Sequence, residues 1–227
     1  MNGGLIFIFI LFAAIVIAAG IYGTLAAKKR REELGALAAR LGFSFNPNED
    51  RSLASRYNFL NQLAQGSNRY AFNTLSGQFK QNGVLIFDYH YETHSTDSKG
   101  HTQTHHHYFS FFIMTLPVSF PELRITHEGL LSKIAQVFGY DDIDFESAEF
   151  SRAFCVRSKD RKFAYDVCNA RMIEYLLANR DLSIEIERNA MALAFGKRLA
   201  PAEIESDLHR LEEIRLRLPE YLFTQTA

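Results

Sequence analysis

RYAFNTLSGQFKQNGVLIFDYHYETHSTDSKGHTQTHHHYFSFFIMTL, residues 69–116, is the stretch whose reading decides the fold. Arg69 to Lys80 is rich in Tyr, Phe and Thr, which suit a pleated, half-buried surface. Gly77 inside it is a candidate bulge. Asn82-Gly83 signals a hairpin turn, because both residues tolerate positive φ. Val84 to His94 reads as a second strand and Thr96-Asp97-Ser98-Lys99-Gly100 as a second turn. His101 to Leu116 reads as a third strand that Pro117 stops. Three strands joined by tight turns make an antiparallel meander.

Toward the N-terminus lies LIFIFILFAAIVIAAGIYGTLAA, Leu5 to Ala27, an uncharged run. As a helix it is about 34 Å long, enough to cross a hydrocarbon core of about 30 Å. No charged side chain precedes it, and Lys28, Lys29, Arg30 and Arg31 follow it at once. That order points to a retained anchor rather than a cleaved signal, with residues 1–4 outside and the remainder in the cytoplasm. Ala14/Ala18 and Ala19/Gly23 have the spacing that lets two such helices pack, but small residues are common in membrane helices anyway. Leu34, Leu37, Ala38 and Leu41 repeat at helical spacing, with Gly42 as the stop. Phe43 to Phe45 alternates like a short strand, Asn46-Pro47-Asn48 breaks it, and Asp50 caps a helix to about Gln65. Residues 28–66 are thus expected to form a juxtamembrane helical segment, and residues 67–223 the cytoplasmic domain.

Toward the C-terminus, Pro121 to Thr126 is extended, Glu128 to Phe138 has helical periodicity, and Phe154 to Arg157 reads as a strand. Ser158 or Asp160 caps a helix to about Asn179. Leu182 to Glu187 and Ala190 to Phe195 suggest a hairpin about Arg188-Asn189. Pro201 suits a first helical turn, and Ile204, Leu208, Leu211, Ile214 and Leu218 form one stripe of a last helix ended by Pro219. Strands in hairpins without strict βαβ alternation predict an α+β fold: an antiparallel sheet with helices packed on one face, preceded by a single transmembrane helix.

Four of the 25 bases sit in the KKRR run and all 26 acids follow it, so the remainder carries a formal charge of −5. An acidic domain lacks the basic face that phosphate contacts require, which argues against nucleic acid as a partner. Cys155 and Cys168 fit no disulfide framework and suit a reducing compartment. Their neighbours make both of them small buried hydrophobes.

Histidine is the unusual feature. Six of the eight, His90, His94, His101, His105, His106 and His107, fall on the hairpin of the second and third strands. With an even turn, His94 faces His101, His90 faces His105 and Asp88 faces His107. One sheet face then carries Asp88, His90, Glu92, His94, His101, His105 and His107. Imidazoles and a carboxylate so placed can hold Zn²⁺ or another transition ion. An odd turn shifts the parity and puts His106 on that face in place of His105 and His107. A solvated, mildly pH-sensitive hairpin tip accounts for the same residues without metal. The acidic run Asp141, Asp142, Asp144, Glu146, Glu149 offers oxygen ligands, but it lacks the glycine of a calcium loop, and its spacing follows from apolar alternation with Ile143 and Phe145. No GxSxG, P-loop, GxGxxG or HExxH motif is present, so the reading leans away from an enzyme of a common class.

The words FDYHY (87–91), LPVSFPELRI (116–125), IDFESAEFSRAFCVRSKDRKFAYDV (143–167) and ARMIEYLL (170–177) resemble those of a widespread group of bacterial membrane-anchored proteins of unknown function. The resemblance covers roughly residues 70–215. It implies a bacterial source and one recurring domain, and it carries over no catalytic residues. Together these readings predict a non-enzymatic scaffold module at the bacterial inner membrane, held in the bilayer by residues 5–27 and binding a membrane-associated protein. The alternative is a metal-binding domain built on the His-rich hairpin.

Overall fold

The structure is a computed structural model, and it describes residues 3–127 and 142–224. The helix expected over Glu128 to Phe138, and Asp141, lie outside them.

One helix, α1 (Gly3–Leu41), carries the chain from the apolar run into the domain without a break. It starts inside the stretch expected as an external tail. At 1.5 Å per residue its 39 residues are about 58 Å long. From Phe7 onward it is long and apolar enough to cross a membrane, and no residue from Phe7 to Ala27 is buried. The register with the domain begins at Arg30. Leu34, Leu37 and Ala38 are buried in the main core, and Gly42, at φ +70, turns the chain after the helix.

The sheet is antiparallel, with β1 (Ser44–Asn46), β2 (Ser67–Phe79), β3 (Asn82–Thr96), β4 (Thr102–His127), β5 (Phe154–Ser158) and β6 (Ser183–Ala194). β4 is its spine. β3 pairs with the first part of β4 up to Met114, β5 pairs with Leu123 to His127, and β6 runs along β4 from Phe111 to Thr126. Pro117 therefore does not stop the third strand. It falls where β4 has left β3 and not yet met β5, inside the register shift between Thr115 and Phe120 against β6, so its missing N–H costs no ladder bond. The hairpin expected about Arg188-Asn189 is also absent. Arg188, at φ +53, makes a bulge within one continuous strand β6, and Ala190 and Arg188 pair with Thr115 and Phe120 of β4.

The turn between β2 and β3 lies at Lys80-Gln81, both at positive φ, with Phe79 opposite Asn82. Asn82-Gly83 is thus already in the strand. This register sets Leu75 opposite Ile86, and both are buried. A turn at Asn82-Gly83 would instead set Leu75 opposite His90. Gly77 pairs regularly with Val84 rather than bulging, and the Phe43 ring lies on it so closely that an added Cβ would stand 2.3 Å from the ring. The bulges of β2 lie at Asn68 and Asn73, both at positive φ, which asparagine tolerates.

Two cores flank the sheet. On one face, Val84, Ile86, Phe112 and Met114 pack with α1 and with α4 (Ala148–Ala153), α5 (Arg161–Val167), α6 (Ala170–Ala178) and α7 (Pro201–Arg217). The stripe Ile204, Leu208, Leu211 and Ile214 of α7 is buried there. On the other face, Phe87, Tyr89, Tyr91, Phe109 and Phe111 pack under the short helices α2 (Arg51–Arg56) and α3 (Asn61–Ala64). A single helix from Asp50 to Gln65 is precluded by Glu185 of β6, whose buried carboxylate accepts from the N–H groups of Asn61 (2.6 Å) and Gln62 (3.0 Å) and starts a new helix there. Burial pushes the Glu185 carboxyl up. Asp160 caps α5 through the Phe163 N–H, and Asn169 interrupts the longer helix by capping α6 through the Met172 N–H. The last helix, α8 (Tyr221–Thr224), is a single turn.

Candidate metal centre and the anchor clamp

The expected ligand set splits into two structures, because the second turn is odd. Thr96 pairs with Thr102 around residues 97–101, so Glu92 faces His106 and His90 faces Tyr108. The even-turn pairings of His94 with His101, His90 with His105 and Asp88 with His107 do not form. His105 and His107 lie on the opposite face of the hairpin. There His107 stacks on Tyr91 at 4.5 Å and shares a hydrogen bond with Thr93, while His105 meets Ser95. His101 pairs with Asp97 inside the turn (3.1 Å). His94 is on the same face as His90 and meets Ser67 and Thr104.

Asp88 pairs with α1 rather than with the histidines. Arg30 donates to it twice, Nε to Oδ2 at 2.9 Å and Nη2 to Oδ1 at 2.7 Å, and Arg30 Nη1 donates to the Leu199 carbonyl at 2.7 Å. The Asn73 amide and the Ser110 hydroxyl donate to the same carboxylate at 2.9 and 3.1 Å. The bulge at Asn73 turns that amide inward. The side chains of Arg30 and Asp88 are only 15% and 3% exposed. A bidentate guanidinium–carboxylate pair with further donors satisfies a buried charge fully. The four bases after the apolar run are therefore not equivalent: Lys28, Lys29 and Arg31 are exposed, while Arg30 is built into the sheet.

Glu92, His90 and His106 do converge. His90 Nε2 lies 3.1 Å from His106 Nδ1, His106 Nδ1 lies 3.4 Å from Glu92 Oε1, and His90 Nε2 lies 4.0 Å from Glu92 Oε1. Asn68, at the first bulge of β2, orients two of the three. Its carbonyl accepts from His90 Nδ1 at 3.0 Å, and its amide donates to Glu92 Oε1 at 2.6 Å. Arg51 holds the Asn68 side-chain oxygen at 3.0 Å. The Asn68 hydrogen bond, aided by the histidines, holds the Glu92 carboxyl below the usual carboxylate range. The His90 ring is buried between Tyr70 (4.6 Å) and Tyr108 (4.7 Å). Burial and the neighbouring Tyr108 push the Tyr70 phenol up to about 12. Sequence reasoning placed Glu92 on this face and reached His106 only through the odd-turn alternative. It missed Asn68, whose isolated Gly-Ser-Asn context gave no ligand signal.

Of the acidic run, Asp144, Glu146 and Glu149 are exposed, and Glu149 pairs with Arg180. Asp142 accepts from Arg157 at 2.9 Å and from the Cys155 thiol at 2.6 Å, and it lies in an irregular segment rather than on a strand. Ile143 is buried beneath it. Neither cysteine is in a disulfide, and burial pushes the Cys168 thiol up.

No family model matches the chain, and no curated protein matches it. Among solved structures, it is similar to the crystal structure of the mycobacterial trehalose monomycolate transport factor A, TtfA, with a TM-score of 0.63 and 17% sequence identity. The alignment covers 85% of this chain and 96% of that one. At that identity the likeness is one of fold alone.

Proposed function

We propose that this chain is a non-enzymatic factor of the bacterial inner membrane whose α+β domain docks a membrane-associated protein partner. The observation that carries the reading is the mounting of the domain. The candidate span and the first core helix are one helix, and Arg30, three residues past the apolar run, is clamped to Asp88 in the sheet. A domain so held meets the membrane in one attitude, which suits docking on a partner embedded beside it better than a flexible tether does. Lys28, Lys29 and Arg31 favour a cytoplasmic domain by the positive-inside rule. The resemblance of its sequence words to those of bacterial membrane-anchored proteins, and the likeness of its fold to that of a mycobacterial transport factor, support the same class of role.

The geometry also suggests which surface docks. Along α1 the chain leaves the span through Arg30 and reaches the turn at Phe43, which lies on Gly77 opposite Val84. Along β3 it passes from Val84 back to Asp88. The two run in opposite senses, so β3 and β4 beyond Asp88 return toward the span, over about 26 Å from Asp88 to Thr96. The partner face is this returning hairpin and the loop around Arg198. Photo-crosslinkers placed at Lys99 and Arg198 in the full-length chain test it in native membranes. A discrete protein adduct from these positions, and none from Glu205 on α7, is expected. Equal yields at all three, or lipid adducts alone, refute the docking role. A fluorescent-protein fusion at the C-terminus that is dark while a periplasmic reporter is active would overturn the orientation.

A further inference from the structure

We infer that His90, Glu92 and His106 form a site for one first-row transition ion of the Zn²⁺ class, with a fourth position open to solvent or to a ligand. The inference stands apart from the docking role, since it concerns only what the side chains of this chain hold. A point equidistant from three atoms with the separations 3.1, 3.4 and 4.0 Å lies about 2.1 Å from each, which is the bond length of Zn²⁺ to imidazole nitrogen and carboxylate oxygen.

The donors are also of the right chemical form. A carbonyl can only accept, so His90 Nδ1 carries the proton in its contact with Asn68 O, and the neutral ring presents the Nε2 lone pair to the site. A ring proton donated to a backbone carbonyl is the usual support of a metal-bound histidine. Glu92 is aimed by the Asn68 amide, so one residue at one bulge orients both ligands. In the metal-free chain the one proton between His90 Nε2 and His106 Nδ1 belongs to His106 Nδ1, and when the ion takes its place the His106 ring shifts to the Nε2–H tautomer and stays neutral. Two imidazoles and one carboxylate, without thiolate, suit Zn²⁺, Ni²⁺ or Cu²⁺ rather than Ca²⁺ or Mg²⁺. His90 is buried while the His106 side chain is 53% exposed, so the site opens outward through His106.

The test uses the full-length chain in detergent micelles, stripped with chelator. Zn²⁺ is titrated with the bound metal counted per chain, and Co²⁺ is added as a spectroscopic probe. One ion per chain at micromolar Zn²⁺ and the visible ligand-field bands of a four-coordinate nitrogen–oxygen Co²⁺ site are expected. Glu92→Gln, which keeps the shape of a part-buried side chain, and His106→Gln, at an exposed one, should each weaken binding by about 100-fold, and Asn68→Gly by about tenfold. His101→Gln and His105→Gln should leave it unchanged. Urea midpoints in chelator confirm that each variant folds, and the buried His90 is left intact for that reason. Absence of binding by the folded wild-type chain overturns the inference. So does binding that survives Glu92→Gln and His106→Gln, or that His101→Gln or His105→Gln abolishes.

Discussion

Replacing Arg30 with methionine removes the guanidinium that joins α1 to the sheet and leaves the aliphatic bulk. Asp88 keeps two donors, Asn73 at 2.9 Å and Ser110 at 3.1 Å, but loses its countercharge and two short charge-assisted hydrogen bonds. The Leu199 carbonyl loses its donor as well. With side chains 15% and 3% exposed, the pair lies far enough from water that solvent does not replace what is lost. Breaking a buried pair from one side costs about 3–5 kcal/mol, against about 5–15 kcal/mol for the whole stability of an ordinary domain. Asp88→Asn strands the guanidinium instead and should cost a similar amount. The double variant Arg30→Met/Asp88→Asn removes both charges and leaves an amide whose oxygen accepts from Ser110 and whose NH2 meets the Asn73 oxygen once the Asn73 amide flips. Its cost should therefore fall about 2 kcal/mol or more short of the sum of the singles. The chain has no tryptophan, so urea unfolding is followed by circular dichroism in micelles. A single-variant cost within about 0.5 kcal/mol of zero, the range of exposed ion pairs, would refute the reasoning, and so would strict additivity of the two changes.

Three further outcomes follow from local geometry. Gly77→Ala places a Cβ 2.3 Å from the buried Phe43 ring and should destabilise by about 1–3 kcal/mol, read from the urea midpoint, because the ring has no room to retreat. Asn68→Gly keeps the positive φ but removes the amide that donates to Glu92, so the Glu92 carboxyl should titrate higher, toward its ordinary value, by carbon NMR of the side-chain carboxyls. Burial, then the neighbouring His105, His90 and His106, hold the His107 pKa below its usual value of 6.5. The unfolded chain therefore takes up that proton first, and stability should fall as pH drops below about 6.5 and level off once the folded state also binds it. His107→Gln should flatten that part of the profile.

The legible parts of the fold were those written in a contiguous pattern. The α7 stripe from Ile204 to Ile214 is buried as spaced, and Asp50 and Asp160 cap the helices they precede. The three-strand meander was readable from its aromatic runs and polar interruptions. What misled were local signals that long-range pairing overrides. Asn82-Gly83 is a better turn than Lys80-Gln81 taken alone, yet the pairing of Leu75 with Ile86 sets the register two residues earlier. Pro117 and Arg188-Asn189 look like breaks, yet both fall at a bulge in strands that β4 and β6 hold together. In the candidate site, everything turned on the parity of one loop. Five turn residues, 97–101, bring His106 rather than His105 and His107 beside His90. The clamp was not legible, because nothing in KKRR distinguishes Arg30 from its neighbours. Its partner lies 58 residues away in a strand whose acid sits among aromatic residues.

The central claim is that span and domain move as one body. Spin labels at Tyr22→Cys, within the apolar run, and Gln78→Cys, at the far end of β2, report it in the full-length chain reconstituted in nanodiscs, with Cys155 and Cys168 replaced by serine and alanine. A single narrow distance distribution by pulsed electron resonance is predicted, broadening when Arg30→Met is added. A distribution already broad or multimodal in the parent chain would contradict the account.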